Sequence, residues 1–179
     1  MRNNRRGKAV VYFFFTSNDV SKQNLSHMLR SLIYQLAEQY GSARTKLINL
    51  FKCCGQGITQ PRQGDLVDVF NQMVSELGEL TVVLDALDEC AEIYNLSLWI
   101  TTASNQRCKF ILTSRPDKEI EASLASWISS GHIISLEKHV IRDIEAYIHC
   151  RLSEERSPSC WRSMHNLISE TLVGKAAGM

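Results

Sequence analysis

The chain has 179 residues, 44% of them hydrophobic and 22% charged, with a formal net charge of +1. That is enough chain for one domain with a real core, and its charge is too balanced to select a nucleic acid or another highly charged partner through bulk electrostatics. No apolar stretch approaches the roughly 20 residues of a membrane span, and the six cysteines (Cys53, Cys54, Cys90, Cys108, Cys150, Cys160) show no CxxC spacing, which argues against a spanning segment and a zinc or disulfide framework.

Along the chain, Arg2, Arg5, Arg6 and Lys8 precede the first acid, Asp19, and read as a solvated basic tail over residues 1–9. Residues 10–16 are an almost continuous β-branched and aromatic run, the pattern of a strand buried on both faces. The short run carries no small-residue cleavage site, so the thiols are expected to be reduced and the protein cytoplasmic. Leu25, Met28, Leu29, Leu32, Ile33 and Leu36 follow the spacing of one helix face, with Asp19 or Ser21 as candidate caps. Residues 53–64 read as a surface loop between two helices. Leu66, Val69, Phe70, Met73 and Leu77 repeat the helical pattern, with Asp65 in the first turn and Gly78 at the end.

Buried-type strands are expected again at residues 80–84 and 108–113, and a weaker one at 132–136. Ile120 and Leu124 follow Pro116-Asp117, a plausible helix start. Val140, Ile141, Ile144, Tyr147, Ile148 and Leu152 make another apolar stripe, and Trp161, Met164, Leu167, Ile168 and Leu172 a last one. Trp99, Trp127 and Trp161 read as packing anchors on helices. The alternation implies an α/β fold with a parallel sheet in a three-layer sandwich. The ending at Gly174-Lys175-Ala176-Ala177-Gly178-Met179 has no polar tail or capping signal, and a fragment is expected.

Chemistry concentrates at the end of the strand at 80–84. Asp85 closes an apolar run, and Asp88 and Glu89 follow it. Open α/β sheets place their sites at the C-terminal ends of strands. Mg²⁺ keeps several waters and takes one or two carboxylates, so Asp85 is the candidate ligand, with Asp88 or Glu89 polarising a water. The plainer reading is an acidic turn opening a helix near Ala91. The strand at 108–113 runs into Ser114, Arg115 and Pro116, which brings polar groups out beside the acids. Arg115 is held extended by the following proline, ready for a phosphate or for an ion pair with Asp85 or Asp88. The five histidines have no HExxH spacing, and no GxSxG elbow anchors acyl transfer.

Leu80-Thr-Val-Val-Leu-Asp85-Ala-Leu-Asp88-Glu89 resembles the Walker B segment of NACHT (STAND-class) P-loop NTPases, and Phe110-Ile-Leu-Thr113-Ser114-Arg115-Pro116 resembles their sensor 1 strand. Within that class the pattern looks like the nephrocystin-3-like N-terminal domain of fungal NLR-like proteins. The resemblance implies the P-loop NTPase (ASCE) sheet, with Asp85 supporting Mg²⁺, Asp88 and Glu89 as the acidic pair of hydrolysis, and Thr113, Ser114 and Arg115 at the nucleotide phosphates. It implies a partial NTPase domain over residues 10–152 and the start of a helical region over 153–179. The intact domain would use Mg²⁺ and ATP or GTP. Expected partners are the other domains of the parent protein and other copies of it, with no membrane and no specific nucleic acid.

The phosphate loop GxxxxGK[ST] is absent. Gly7-Lys8 is followed by Ala9 and has Arg2 at the first Gly position; Gly174-Lys175 is followed by Ala176 and has Ser169 there. In the family that loop and its strand come first, and the strand lies between those expected at 108–113 and 132–136. The chain is therefore expected to bind ATP poorly and to hydrolyse it negligibly. Two further readings stand beside the truncated switch: a non-catalytic interaction module, and a Mg²⁺-dependent phosphoester hydrolase using Asp85, Asp88 and Glu89 alone.

Overall fold

The computed structural model describes residues 8–104, 108–125, 127–128, 132–135, 137–154 and 164–176. They belong to two compact units, residues 1–128 and 129–179. The first unit is built on three parallel strands, β1 (Lys8–Phe14), β2 (Glu79–Asp85) and β3 (Cys108–Leu112), in the order β1-β2-β3. The expected α/β class and parallel sheet are present. Five helices complete the unit: α1 (Leu25–Gln39), α2 (Gly41–Cys53), α3 (Gln63–Glu76), α4 (Ile93–Ser104) and α5 (Lys118–Leu124). In the second unit α6 (Glu137–Glu154) packs against α7 (His165–Ala176), with Ile148 and Ser169 buried. None of these helices is long and apolar enough to cross a membrane.

The pairing register decides which side chains share a face. Val11, Val82 and Phe110 lie side by side, as do Phe13, Leu84 and Leu112. This face is closed by α1, α3 and α4. Leu29, Leu32 and Leu36 of α1, Phe70 and Met73 of α3, and Leu96 and Ile100 of α4 are all buried in the same core. An aromatic row runs through it, Phe70 to Trp99 to Phe110 to Trp127, each pair edge-on at 5.3 to 5.7 Å. That geometry suits the ring quadrupoles. Trp127 joins the row from just beyond α5 and not from a helix.

The opposite face departs from expectation. Val10, Tyr12, Phe14 and Ile111 remain 52%, 53%, 54% and 56% exposed. Among the described residues of the first unit, no helix covers this face of the strands. The misreading has a plain cause: every residue from Val10 to Phe15 is apolar, so the outward positions could not be told from the inward ones. The outer edge of β1 is closed by side chains. Gln35 of α1 accepts from the Tyr12 amide at 3.0 Å and donates to the Tyr12 carbonyl at 2.8 Å, and Gln39 donates to the Val10 carbonyl at 3.0 Å. The pairs satisfy backbone groups that an edge strand otherwise leaves open.

The strand expected at 132–136 does not form. Residues 132–135 have no strand conformation, Ile133 and Ile134 are 63% and 80% exposed, and Leu136 lies outside the described residues. Helix starts also differ. Asn24 caps α1 by accepting from the His27 amide at 2.9 Å, whereas Asp19 caps a short 3-10 turn over Val20–Lys22. Asp117 caps α5 as expected, accepting from the amides of Glu119 and Ile120. The helix expected from Trp161 begins at His165, and Trp161 itself lies outside the described residues.

Trp99 is 5% exposed, and its indole nitrogen has no hydrogen-bond partner. Removing that donor relieves a desolvation cost, while removing the ring opens a cavity. Trp99→Phe is expected to change stability by less than about 1.5 kcal/mol, and Trp99→Ala to cost about 3–5 kcal/mol, read from urea melts.

Candidate functional site

The ends of β2 and β3 are tied by one side chain. The Thr113 hydroxyl donates to Asp85 Oδ1 and accepts from the Ala86 amide at 3.1 Å. The backbone of Thr113 donates to the Leu84 carbonyl at 3.0 Å and accepts from the Leu87 amide at 3.0 Å. On the other side, the Phe15 amide donates to the Asp85 carbonyl at 3.1 Å, continuing the register of β1. Asp85 therefore leaves the sheet from its central strand, on the open face, with a neighbour bound on each side.

The chain then reverses sharply. Ala86 sits at φ 57°, ψ 57°, and a 3-10 turn over Leu87–Glu89 follows. A left-handed alanine is strained, because its Cβ crowds the following carbonyl. Leu87 anchors the turn in the core, being 1% exposed. This leaves Asp88 and Glu89 partly buried and turned in different directions. Asp88 Oδ1 accepts from the Arg115 amide at 3.1 Å and lies 3.4 Å from the Ser114 hydroxyl. Its other oxygen is 3.6 Å from Arg115 Nε, an ion pair whose arginine side chain is 81% exposed. At that distance and exposure the pair adds little energy. Its chief consequence is positional, since it leaves most of the guanidinium facing solvent beside the acid.

Glu89 turns the other way, accepting from the Ser17 amide at 2.5 Å. Gln23 donates to the Ser17 carbonyl at 2.7 Å, and its own carbonyl accepts from the Ala91 amide at 2.9 Å. Glu92 accepts from the Leu25 amide at the start of α1 at 2.9 Å. The acidic turn thus straps down the whole segment between β1 and α1. A shallow cleft of about 410 Å³ lies here, lined by Ser17, Gln23, Asp88, Glu89, Cys90, Ala91 and Arg115. Burial pushes the Cys90 thiol up, with the nearby Glu92 charge adding to it, so the cleft holds a thiol and not a thiolate at neutral pH.

Of the six residues singled out from the sequence, Thr113 joins Asp85, and Ser114 and Arg115 join Asp88, while Glu89 stands apart with Ser17. Of the two ion pairs expected for Arg115, the one with Asp88 forms. Ser17 and Gln23 line the cleft without having been expected. The available signal was position: Ser17 follows the end of β1, and parallel neighbours end together. Among the described residues, no group of three or more His, Cys, Asp or Glu is arranged to hold a metal ion.

Comparison with known proteins adds one finding. Residues 1–115, well over half of the chain, match the family model described as Nephrocystin 3, N-terminal. No curated protein and no solved structure gives a significant match.

The strain at Ala86 can be tested directly. Ala86→Gly removes the left-handed penalty at the cost of a more flexible unfolded chain, and is expected to stabilise the protein by about 0.5–1 kcal/mol in urea melts. A loss of stability would show that Ala86 does not hold this conformation.

Proposed function

The chain belongs to the Nephrocystin 3, N-terminal family, and from that premise we propose that it is part of a NACHT-type nucleotide-binding domain from an NLR-like signalling ATPase. The observation that carries this reading is the convergence of two strand ends: Asp85 with Thr113, and Asp88 with Ser114 and Arg115. An acid on the central strand and an arginine on its neighbour are what a Mg²⁺-nucleotide site needs on its metal side. Asp85 would support Mg²⁺, Asp88 and Glu89 would serve hydrolysis, and Thr113, Ser114 and Arg115 would face the phosphates.

The fit is to half of such a site. A single carboxylate such as Asp85 suits Mg²⁺, which keeps most of its waters and shares the rest of its shell with phosphate oxygens. The phosphate cradle is another matter, because no GxxxxGK[ST] sequence occurs in the chain. Asp88 and Glu89 also accept from the Arg115 and Ser17 amides, which fixes both carboxylates while leaving lone pairs for a water. β3 pairs on one side only, with β2, among the described strands. A strand carrying a phosphate loop, added at that edge, would supply what is missing. The signalling role, the choice of ATP or GTP, self-assembly and a cytoplasmic setting all belong to this reading of the intact domain.

The absent phosphate loop, with both acids already holding neighbouring segments, also favours a second reading, an interaction module that keeps the fold without turnover. The hydrolase reading has less support, since the three acids do not converge into a common metal site. Calorimetry separates these. The 179-residue chain is expected to bind Mg²⁺-ATP no tighter than about 1 mM and to release no phosphate. The same chain extended by a phosphate-loop strand is expected to gain micromolar, Mg²⁺-dependent binding that Asp85→Asn removes. No gain would leave the interaction module, and tight binding by the chain as it stands would contradict the half-site. Metal-dependent phosphate release from a simple ester, lost in Asp85→Asn, would restore the hydrolase.

A further inference from the structure

A second feature lies away from the acidic turn. Residues 39–64 carry Arg44, Lys46, Lys52 and Arg62 and not one acid. They form α2 and the turn after it. One side of α2 faces the core through Ala43, Leu47 and Leu50. The other side and the turn present Ile48, Phe51 and Ile58, which are 46%, 53% and 88% exposed. Scattered surface apolar residues need no explanation. These three share one end of one element: Ile48 and Phe51 are one helical turn apart, and the chain folds back onto Phe51.

That fold-back is built. Gly55, Gln56 and Gly57 have φ values of 61°, 57° and 93° in succession. The Gln56 amide donates to the Phe51 carbonyl at 3.0 Å and the Thr59 amide to the Cys54 carbonyl at 3.1 Å. Gly57 lies so close to the Phe51 ring that a Cβ there would come within 2.9 Å of it. The turn is thereby fixed against the helix end, and Ile58, next in the chain, projects into solvent. Two of the basic residues are neutralised, Arg44 by Glu38 at 3.3 Å and Lys46 by Glu76 at 2.7 Å. Lys52 and Arg62 have no ion-pair partner among the described residues. The nearest acid in the chain, Asp65, is turned back to accept from the Arg62 amide at 2.9 Å.

We propose that this tip, Ile48, Phe51 and Ile58 with Lys52 and Arg62, is a peripheral contact for an anionic membrane surface. Charge complementarity selects the partner: apolar side chains among unpaired cations suit acyl chains beneath acidic headgroups. No spanning helix is required.

The test is co-sedimentation of the whole chain with phosphatidylcholine vesicles, with and without phosphatidylserine. Binding is expected to be about tenfold stronger to the phosphatidylserine vesicles and to weaken at high salt. Ile58→Asp is expected to remove binding without changing the melting temperature, as Ile58 is almost wholly exposed, and Lys52→Glu to remove the preference for phosphatidylserine. Absence of binding to either vesicle, or binding that Ile58→Asp leaves intact, would overturn the proposal. A contact with an acidic protein instead would give the first of these results.

Discussion

The clamp that Thr113 makes between β2 and β3 governs the rest of this structure. Its hydroxyl serves Asp85 and the Ala86 amide together, and its backbone serves Leu84 and Leu87. These four contacts fix where β2 stops and force the chain to reverse through a left-handed alanine. Everything downstream inherits that direction. Leu87 drops into the core, Asp88 swings towards Ser114 and Arg115, and Glu89 reaches back to Ser17. A hydroxyl at the end of one strand thereby sets the positions of three carboxylates on the next.

Much of this was legible in the residues. The runs at 80–84 and 108–113 have β-strand composition and end in polar groups, and strand ends that neighbour one another in a parallel sheet must bring those groups together. The helical stripes were equally plain, since Leu25 to Leu36 and Leu66 to Met73 keep a strict 3.6-residue spacing. What failed was what depends on neighbours. Residues 132–135 have the composition of a strand, but composition does not supply the neighbouring strand that a strand's backbone groups need. Asp19 and Ser21 were reasonable caps for α1, yet Asn24 sits closer to the apolar stripe and takes that place. The bond from Ser17 to Glu89 spans 72 residues of sequence, and no local pattern encodes it.

The acids have two roles that pull apart. As strand-end carboxylates they resemble the metal side of a nucleotide site. As hydrogen-bond acceptors they already hold the β1–α1 segment and the end of β3 in place. The open sheet face points in the same direction. Parallel sheets are ordinarily covered on both sides, and here Val10, Tyr12, Phe14 and Ile111 are left half in solvent. Family membership, acids that hold neighbouring segments and an uncovered face agree with the proposed reading, in which nucleotide binding would depend on further parts.

The bond between Asp85 and Thr113 carries most of this arrangement, and a double-mutant cycle measures it. Asp85→Asn and Thr113→Val, singly and together, would be compared by urea unfolding of the whole chain. A coupling of about 1 kcal/mol or more is expected, as for a hydrogen bond to a charged acceptor. Additivity within about 0.3 kcal/mol would show that the strand-end acid is not held by its neighbour, and the positions of Asp88 and Glu89 would then need another cause.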